Sequence, residues 1–457
     1  MLFKINGKDG TMIETIGSVC SGIEAASIAF NPYGLKVKWL SEIAEFPSKI
    51  LKEKFPNIEN LGDMNLIPKK IFNQEIYAPD MICGGTPCQA FSLAGMQNGL
   101  NDDRGNLTLK FVDIIEANDN IRMKKQKKRS IVFWENVEGV LSDKTNAFGC
   151  FIASLAGAKK ALTIEGNKWP NSGLIRGKKR NIAWRILDAK FFGLPQQRRR
   201  LYVLAGGKDF FPENVLFEKH LNKLNEYPSF ALKFKKEGHN FEIFREYTDC
   251  LYSAYGTKWN GNAAANNGSL FVVQDNKLRR LSPLECERLM GFPDEYTNIK
   301  GARKTNRYQV TGNSWAIPVV SWIGKRLIEK QQKKSILSDY NIESYVETMK
   351  YENDIVFYNM GKDVNDFGSL KFNCTAMPEK CVFKSLESIV SPEAPDDIYI
   401  SPVGCFGILR RKRERNLKMN SRLEIILEDI SSKMSIEEIE KKSRIQKRGR
   451  YSTKKAK

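Results

Sequence analysis

Cys88 stands in the run Gly84-Gly85-Thr86-Pro87-Cys88-Gln89-Ala90-Phe91-Ser92, directly after an apolar stretch, Asp80 to Cys83, that reads as a strand. Two glycines and a proline make a stiff loop of close approach, able to present one side chain at the carboxyl edge of a sheet. A free thiol has a pKa of roughly 8.5, so a nucleophilic cysteine needs a helix terminus or nearby cations. An isolated cysteine is more often a small buried hydrophobe. Two further segments supply partners. After the apolar run Ser130 to Trp134 comes Glu135-Asn136-Val137, a carboxyl group at a second strand end. Pro195-Gln196-Gln197-Arg198-Arg199-Arg200 leads into Leu201 to Ala205, so Arg198 and Arg200 alternate along an extended segment and face one side. A thiol, a carboxylic acid and two arginines together suit covalent catalysis with an acid at hand.

A second constellation suits a nucleoside. The strand-like Thr15 to Cys20 ends in Ser21-Gly22-Ile23-Glu24 and runs into helical Ala25 to Phe30, where a glycine lets a ligand approach a helix N-terminus. About twenty residues on, Glu42 follows the strand Val37 to Leu40, where an acid can bond two ribose hydroxyls. Asp63, in Leu61-Gly62-Asp63-Met64, can accept from an adenine amino group. Taken alone, these residues equally fit a strand-to-helix turn and two surface acids.

The elements that must position both sets follow from patterning. From about Thr11 to Gly207 short apolar runs alternate with amphipathic stretches, which predicts a doubly wound, mostly parallel α/β sheet. Leu107, Phe111, Ile114 and Ile115 repeat at helical spacing. From Lys208 to about Lys277 this regularity fades, and Tyr255 to Ser269 is dense in Gly, Asn and small residues, so a loop-rich module is expected there. Leu281 to Met290 and Asn313 to Glu329 read as helices.

With 457 residues, 41% apolar and 11% aromatic, the chain can bury a real core in two or three domains. Its 73 Lys and Arg against 53 Asp and Glu give +20, which points first to nucleic acid, although solubility or an acidic membrane surface gives the same excess. Nine cysteines without a CxxC pair, and His220 and His239 as the two histidines, argue against a structural zinc, and no metal is expected. With no apolar run of signal-peptide or membrane-spanning length, a reducing, cytoplasmic setting without a membrane partner is expected.

The ordered set Gly84 to Ser92, Glu135-Asn136-Val137 and Gln196 to Arg200 resembles the C5-cytosine DNA methyltransferases, in particular their Dcm-like branch in bacteria and phages. Arg104-Gly105-Asn106-Leu107, Leu281-Ser282-Pro283-Leu284-Glu285-Cys286-Glu287-Arg288-Leu289-Met290-Gly291-Phe292-Pro293 and Arg307-Tyr308 through Gly312-Asn313-Ser314 extend the resemblance over about Thr15 to Leu327. It implies a Rossmann-like methyltransferase fold using S-adenosylmethionine. In that reading Cys88 attacks carbon 6 of a flipped cytosine, Glu135 serves N3, Arg200 holds O2 and Arg198 steadies the nucleotide's backbone. Gln89, Ser92, Asn136 and Gln196 fall on the substrate side. Cys20, Gly22, Ile23, Glu42, Ile43, Asp63, Met64, Pro87, Leu107, Asn313 and Trp315 fall on the cofactor side.

The resemblance further implies a catalytic domain over 11–207, a target recognition domain over 208–278, and a return to the catalytic domain over 279–330. Lys258, Trp259, Asn260 and Asn262 are candidates to read bases, equally readable as an ordinary Asn-Gly loop. Double-stranded DNA is the implied partner, a cognate restriction endonuclease a second one, and the chain is expected to act as a monomer in a bacterial cell or phage-infected host. Departures from the family pattern are Cys20-Ser21-Gly22-Ile23-Glu24 in place of Phe-x-Gly-x-Gly and Ile43 where a Trp often follows the acid. A transfer-RNA methyltransferase and a catalytically silent DNA-binding regulator are the alternatives; a sizeable recognition region and intact Cys88, Glu135, Arg198 and Arg200 weigh against them.

The 331–457 extension lies outside the resemblance. There Ser401 and Pro402 start a basic helix through Ile408-Leu409-Arg410-Arg411-Lys412-Arg413, as fit to bind DNA as to cover a solvated face, and Lys441 to Lys457 is expected to be disordered.

Overall fold

In the computed structural model the described residues are 13–86, 107–219, 225–256, 267–330, 334–352, 354–361, 364–367 and 370–442. Strands β1 (Thr15–Val19), β2 (Lys36–Trp39), β3 (Met81–Gly84) and β4 (Ile131–Val137) pair in parallel in the order β2-β1-β3-β4. The chain leaves β1 toward one side for β2 and toward the other for β3. The crevice outside the carboxyl ends of β1 and β3 is therefore the switch point at which α/β sheets bind ligands.

Both faces of this sheet are covered, which is why its strands read as near-continuous apolar runs. Ile16, Met81, Cys83 and Phe133 face a core shared with helices α1 (Ala25–Phe30) and, far along the chain, Ile317–Glu329. Their alternates Val19, Ile82, Val132 and Trp134 face the opposite core. In sequence order the remaining helices of this body are α2 (Glu45–Lys54), α3 (Ile67–Phe72), α4 (Leu107–Lys124), α5 (Ala147–Ala156) and α6 (Glu213–Leu216). Phe111, Ile114 and Ile115 of α4, the helix expected from its spacing, fill the second core.

Beyond β4 the sheet turns antiparallel. Strands β5 (Ser172–Arg176), β6 (Asn181–Asp188) and β7 (Arg199–Gly206) continue it in the order β4-β7-β6-β5. The short β8 (Glu218–Lys219) lies outside that sheet. Further along, two hairpins, β9 (Lys233–Lys236) with β10 (His239–Glu242) and β11 (Phe271–Gln274) with β12 (Lys277–Arg280), form a four-stranded antiparallel sheet linked by loops. The β11–β12 turn is closed by Asp275 and Asn276 at φ 47° and 63°, the left-handed pair that Asx residues tolerate best.

Helix α7 (Pro283–Met290) has a Ser282–Glu285 capping box, Pro283 in its first turn and Gly291 at φ 83° after its end. The stretch Asn313 to Glu329, expected as one helix, is broken. Helix α8 (Lys304–Asn313) ends at Asn313, and α9 (Ile317–Glu329) begins after Ser314-Trp315-Ala316. Pro318 in the first turn of α9 disfavours helical backbone before it, so the break falls there.

The extension is folded onto both modules. Strands β13 (Thr348–Tyr351) and β14 (Ile355–Asn359) add to the main sheet through Val356 opposite Arg176, giving nine strands among the described residues. Strand β15 (Val364–Phe367) pairs with β16 (Leu370–Asn373), which in turn pairs with β8. Helices α10 (Pro402–Arg415), α11 (Ser421–Ser432) and α12 (Ile436–Lys442) close the chain, with Ser401 accepting from the Gly404 N–H as the N-cap of α10. Of the segment expected to be disordered, residues 443–457 lie outside the described residues. No helix among the described residues is long and apolar enough to cross a membrane.

Candidate active site

A cavity of about 600 Å³ opens at the carboxyl ends of β1, β3 and β4, within the range of small-molecule sites. Its first wall is the turn after β1, where Cys20, Gly22 and Glu24 all take positive φ, 51°, 56° and 60°. The Glu42 carboxylate pins this turn to the end of β2, accepting from the Gly22 N–H and the Ala44 N–H, each at 2.8 Å. A carboxylate has about four lone-pair positions, so Glu42 keeps acceptor capacity toward the cavity it lines. Asp63 is exposed at the rim, one oxygen accepting from the Asn65 N–H at 2.9 Å. Ile43 also lines the cavity and is 77% exposed, an apolar surface open to a flat ligand. Met64, Leu107, Asn313 and Trp315 complete this side. Two carboxylate acceptors at the mouth and apolar walls between them fit a nucleoside-bearing cofactor.

Sequence reasoning passed over Glu24. Its side chain is fully buried and accepts from Ser18 Oγ at 2.8 Å and from Ser27 N and Ser27 Oγ, both at 2.9 Å. Burial pushes its carboxyl up to about 7, against the pull of those hydrogen bonds. Its signal in the sequence is an acid three residues ahead of a serine at a helix start, the N-cap pattern.

The opposite wall carries the expected catalytic groups. Glu135 ends β4, and Arg200 on β7 brings its Nε to 3.3 Å from Glu135 Oε1. The Trp315 indole N–H also bonds the Glu135 carboxyl. Burial raises that carboxyl's pKa above its ordinary value, while Arg200, Arg198 and Trp315 pull it down. Gly85 allows this packing: a Cβ there would lie 3.0 Å from Trp315 Nε1 and 3.4 Å from Glu135 Oε2.

Arg198, expected to steady a nucleotide, lines the cavity and is tied to main-chain carbonyls. It is 2% exposed, and its guanidinium donates to the carbonyls of Leu251 (3.1 Å), Gly312 (3.2 Å) and Ser314 (2.7 Å). It binds the break between α8 and α9 to the recognition segment. Gln196, expected on the substrate side, is fully buried; its amide donates to Leu289 O at 3.0 Å and its oxygen accepts from Leu251 N at 2.8 Å. Both residues bond main-chain groups distant in sequence, and Arg198 also lines the cavity. Asn136 lines the cavity but also donates to Thr86 O at 3.0 Å, and Trp134 Nε1 donates to Thr86 Oγ1 at 2.9 Å. These bonds root the segment that leads to Cys88.

Cys88, Pro87, Gln89 and Ser92, with Lys258, Trp259, Asn260 and Asn262, lie outside the described residues. Of the other cysteines near the cavity, burial and the Glu42 charge push the Cys20 thiol up to about 12, and burial holds Cys83 well above its ordinary value. Both stay protonated and are poor nucleophiles. No cluster of three metal-ligating side chains occurs among the described residues.

Residues 15–268 and 232–329 match the family model for C-5 cytosine-specific DNA methylases. The chain is 27% identical over 347 residues to the type II methyltransferase M.HpaII of Haemophilus parainfluenzae, covering 68% of this chain and 88% of that one. It is 26% identical over 335 residues to M.HhaI of Haemophilus parahaemolyticus, covering 66% and 90%. A longer match, 32% identical over 508 residues and covering 79% of this chain and 67% of the other, is to a protein of Escherichia phage P1 named DNA N-6-adenine-methyltransferase. A solved methyltransferase of Entamoeba histolytica, EhMeth, is 18% identical, with a TM-score of 0.45 over 70% of this chain and 100% of that one.

Proposed function

This chain belongs to the C-5 cytosine-specific DNA methylases, enzymes that methylate DNA from S-adenosylmethionine, and on that premise we propose how its own residues act. The target cytosine is rotated out of the duplex, at a cost of a few kcal/mol, because a stacked ring is out of reach. The Cys88 thiolate forms a bond to carbon 6. The carbon 5–carbon 6 electron pair shifts toward N3, where Glu135 delivers its proton, while Arg200 donates to O2. Carbon 5, now nucleophilic, would take the methyl group as the S–CH3 bonding pair stays on sulfur, leaving S-adenosylhomocysteine. Loss of the carbon 5 proton to water then expels the Cys88 thiolate, restores the double bond and lets N3 return its proton to Glu135.

S-adenosylmethionine supplies an electrophilic methyl on its sulfonium. Glu42 would hold the ribose hydroxyls, Asp63 the adenine amino group and Ile43 the adenine face, with Cys20, Gly22, Met64, Pro87, Leu107 and Asn313 around them, while the expected Ile23 is buried in the core and off the cavity lining. Arg198, Asn136 and Gln196 act as positioning residues, holding the segments that carry Trp315, the cysteine loop and the recognition region. The chain works as a monomer on double-stranded DNA, and a cognate endonuclease is its candidate partner.

The observation that carries this reading is the buried Glu135 carboxyl, paired with Arg200 at 3.3 Å, on the same cavity wall as the Gly85–Thr86 root of the cysteine segment. Duplex DNA with 5-fluorocytosine at the target tests it, since fluorine in place of the departing proton blocks the last step. A complex that survives denaturing electrophoresis should form only with S-adenosylmethionine, and Cys88→Ser should abolish it. An equal complex with Cys88→Ser would overturn the assignment.

The phage P1 relative's name favours a second reading, transfer to the N6 of adenine. Attack by an amino nitrogen needs no covalent thiol, so an adenine enzyme would retain activity as Cys88→Ser. Nucleoside mass spectrometry of methylated duplex distinguishes 5-methylcytosine from N6-methyladenine, and labelling of transfer RNA above duplex DNA would sink both.

A further inference from the structure

The recognition sheet has two covered faces. Phe241 and Val272 point into the core of the main body, whereas Phe271, Val273 and Leu278 point into a separate core with Cys405, Ile408 and Leu409 of α10 and Leu423 and Leu427 of α11. The Arg422 guanidinium on α11 makes two bonds to Glu242 of β10, at 2.6 and 2.9 Å, and Ile400 N donates to Leu278 O of β12 at 2.8 Å. The C-terminal helices are thus the outer layer of the recognition lobe, and Phe271 anchors them just after the segment that carries the candidate base readers.

Charge on these helices is segregated. The last six residues of α10, Arg410-Arg411-Lys412-Arg413-Glu414-Arg415, hold five cations against one acid, while the acids Glu437, Glu438 and Glu440 sit on α12. Lys412 is paired with Glu424, and Arg410 lies 3.8 Å from Glu414. Arg413, Arg415 and Lys418 are exposed. Burial first, and then the guanidiniums of Arg410 and Arg415, lower the Arg411 pKa against the pull of Glu414. Arginine's planar fork matches phosphate oxygens.

We infer that the basic end of α10 and the turn after it form a phosphate clamp of the recognition lobe, in which Arg413, Arg415 and Lys418 hold the duplex backbone. This rests on DNA being the substrate and adds a surface that the methylation chemistry does not require. Phosphate contacts position a protein without reading sequence, so the clamp sets affinity and leaves the choice of cytosine to the recognition segment.

The test compares the full chain with the Arg413→Gln/Arg415→Gln/Lys418→Gln variant, whose changes are at the surface. Binding of a duplex carrying the target is measured across a salt series, together with methylation of that duplex. Each phosphate contact contributes roughly 0.9 to the slope of log K against log salt, so loss of three should flatten the slope by about 2 to 3. KM for DNA should rise, while kcat and the methylated position stay as in the parent. An unchanged slope overturns the clamp even where the parent methylates cytosine normally, and would leave α10 to an acidic protein or a lipid surface. A changed target position overturns it too, since the helix would then be reading sequence. Failure of the parent to methylate DNA at all is a separate outcome that overturns the substrate and the clamp together.

Discussion

Arg200 Nε lies 3.3 Å from Glu135 Oε1 because the two residues are diagonal neighbours on one face of an antiparallel pair, Val137 standing opposite Arg200 and Tyr202 opposite Glu135. The cation favours the ionised carboxylate, and burial favours the acid that must protonate N3. Arg200→Ala removes one donor at a site of developing charge, so kcat should fall on the order of 10²- to 10³-fold. The same change should move the alkaline limb of kcat/KM to higher pH, because without its cation Glu135 keeps its proton longer. A pH–rate profile checks both, and an unmoved limb would mean that Glu135 is not the titrating acid.

Trp315→Phe keeps the ring and removes the N–H that bonds Glu135. The expected result is a shift of the alkaline limb to higher pH, because the lost hydrogen bond favoured the ionised carboxylate. Binding of S-adenosylmethionine, followed by calorimetry, should change little. A large loss of cofactor affinity with an unmoved limb would make Trp315 a cofactor wall alone.

Glu24 gives a pH-dependent stability. Its folded pKa of about 7 stands above the ordinary carboxyl value of 4.5, so between those values the folded state holds a proton that the unfolded chain has released. Stability from this group is therefore full below pH 4.5 and declines as pH rises to 7, by up to about 3 kcal/mol in all. Glu24→Gln, which cannot ionise, should flatten this part of the curve. The melting-temperature advantage of the parent over the variant should shrink from pH 5 to pH 8, and a constant difference would refute the titration.

Gly312 meets the recognition segment backbone to backbone. A Cβ there would lie 2.6 Å from the carbonyl carbon of Tyr252, an overlap that only main-chain movement can relieve. Gly312→Ala should cost about 1 to 3 kcal/mol by thermal or urea unfolding. Methylation should fall further than stability does, because the Arg198 clamp on Gly312 O and Ser314 O holds Trp315 in place.

Strand and helix periodicity, together with the glycine and proline punctuation of the cysteine run, placed Glu135 and Arg200 correctly from the sequence, since a residue's position along a strand decides which edge and face it takes. The same alternation put Arg198 beside Arg200, and there the sequence stopped short. Whether a guanidinium meets a nucleotide or a main-chain carbonyl depends on Leu251, Gly312 and Ser314, brought in by folds of chain far downstream. The extension illustrates the same limit. Its capped basic helix was legible from Ser401 and Pro402, but that its apolar side closes over Phe271 and Val273 follows from which faces of the recognition sheet the main body left bare. Local backbone preference and residue chemistry are properties of neighbours in the chain; burial and hydrogen-bond partnership are properties of neighbours in space, and only the tertiary structure assigns those.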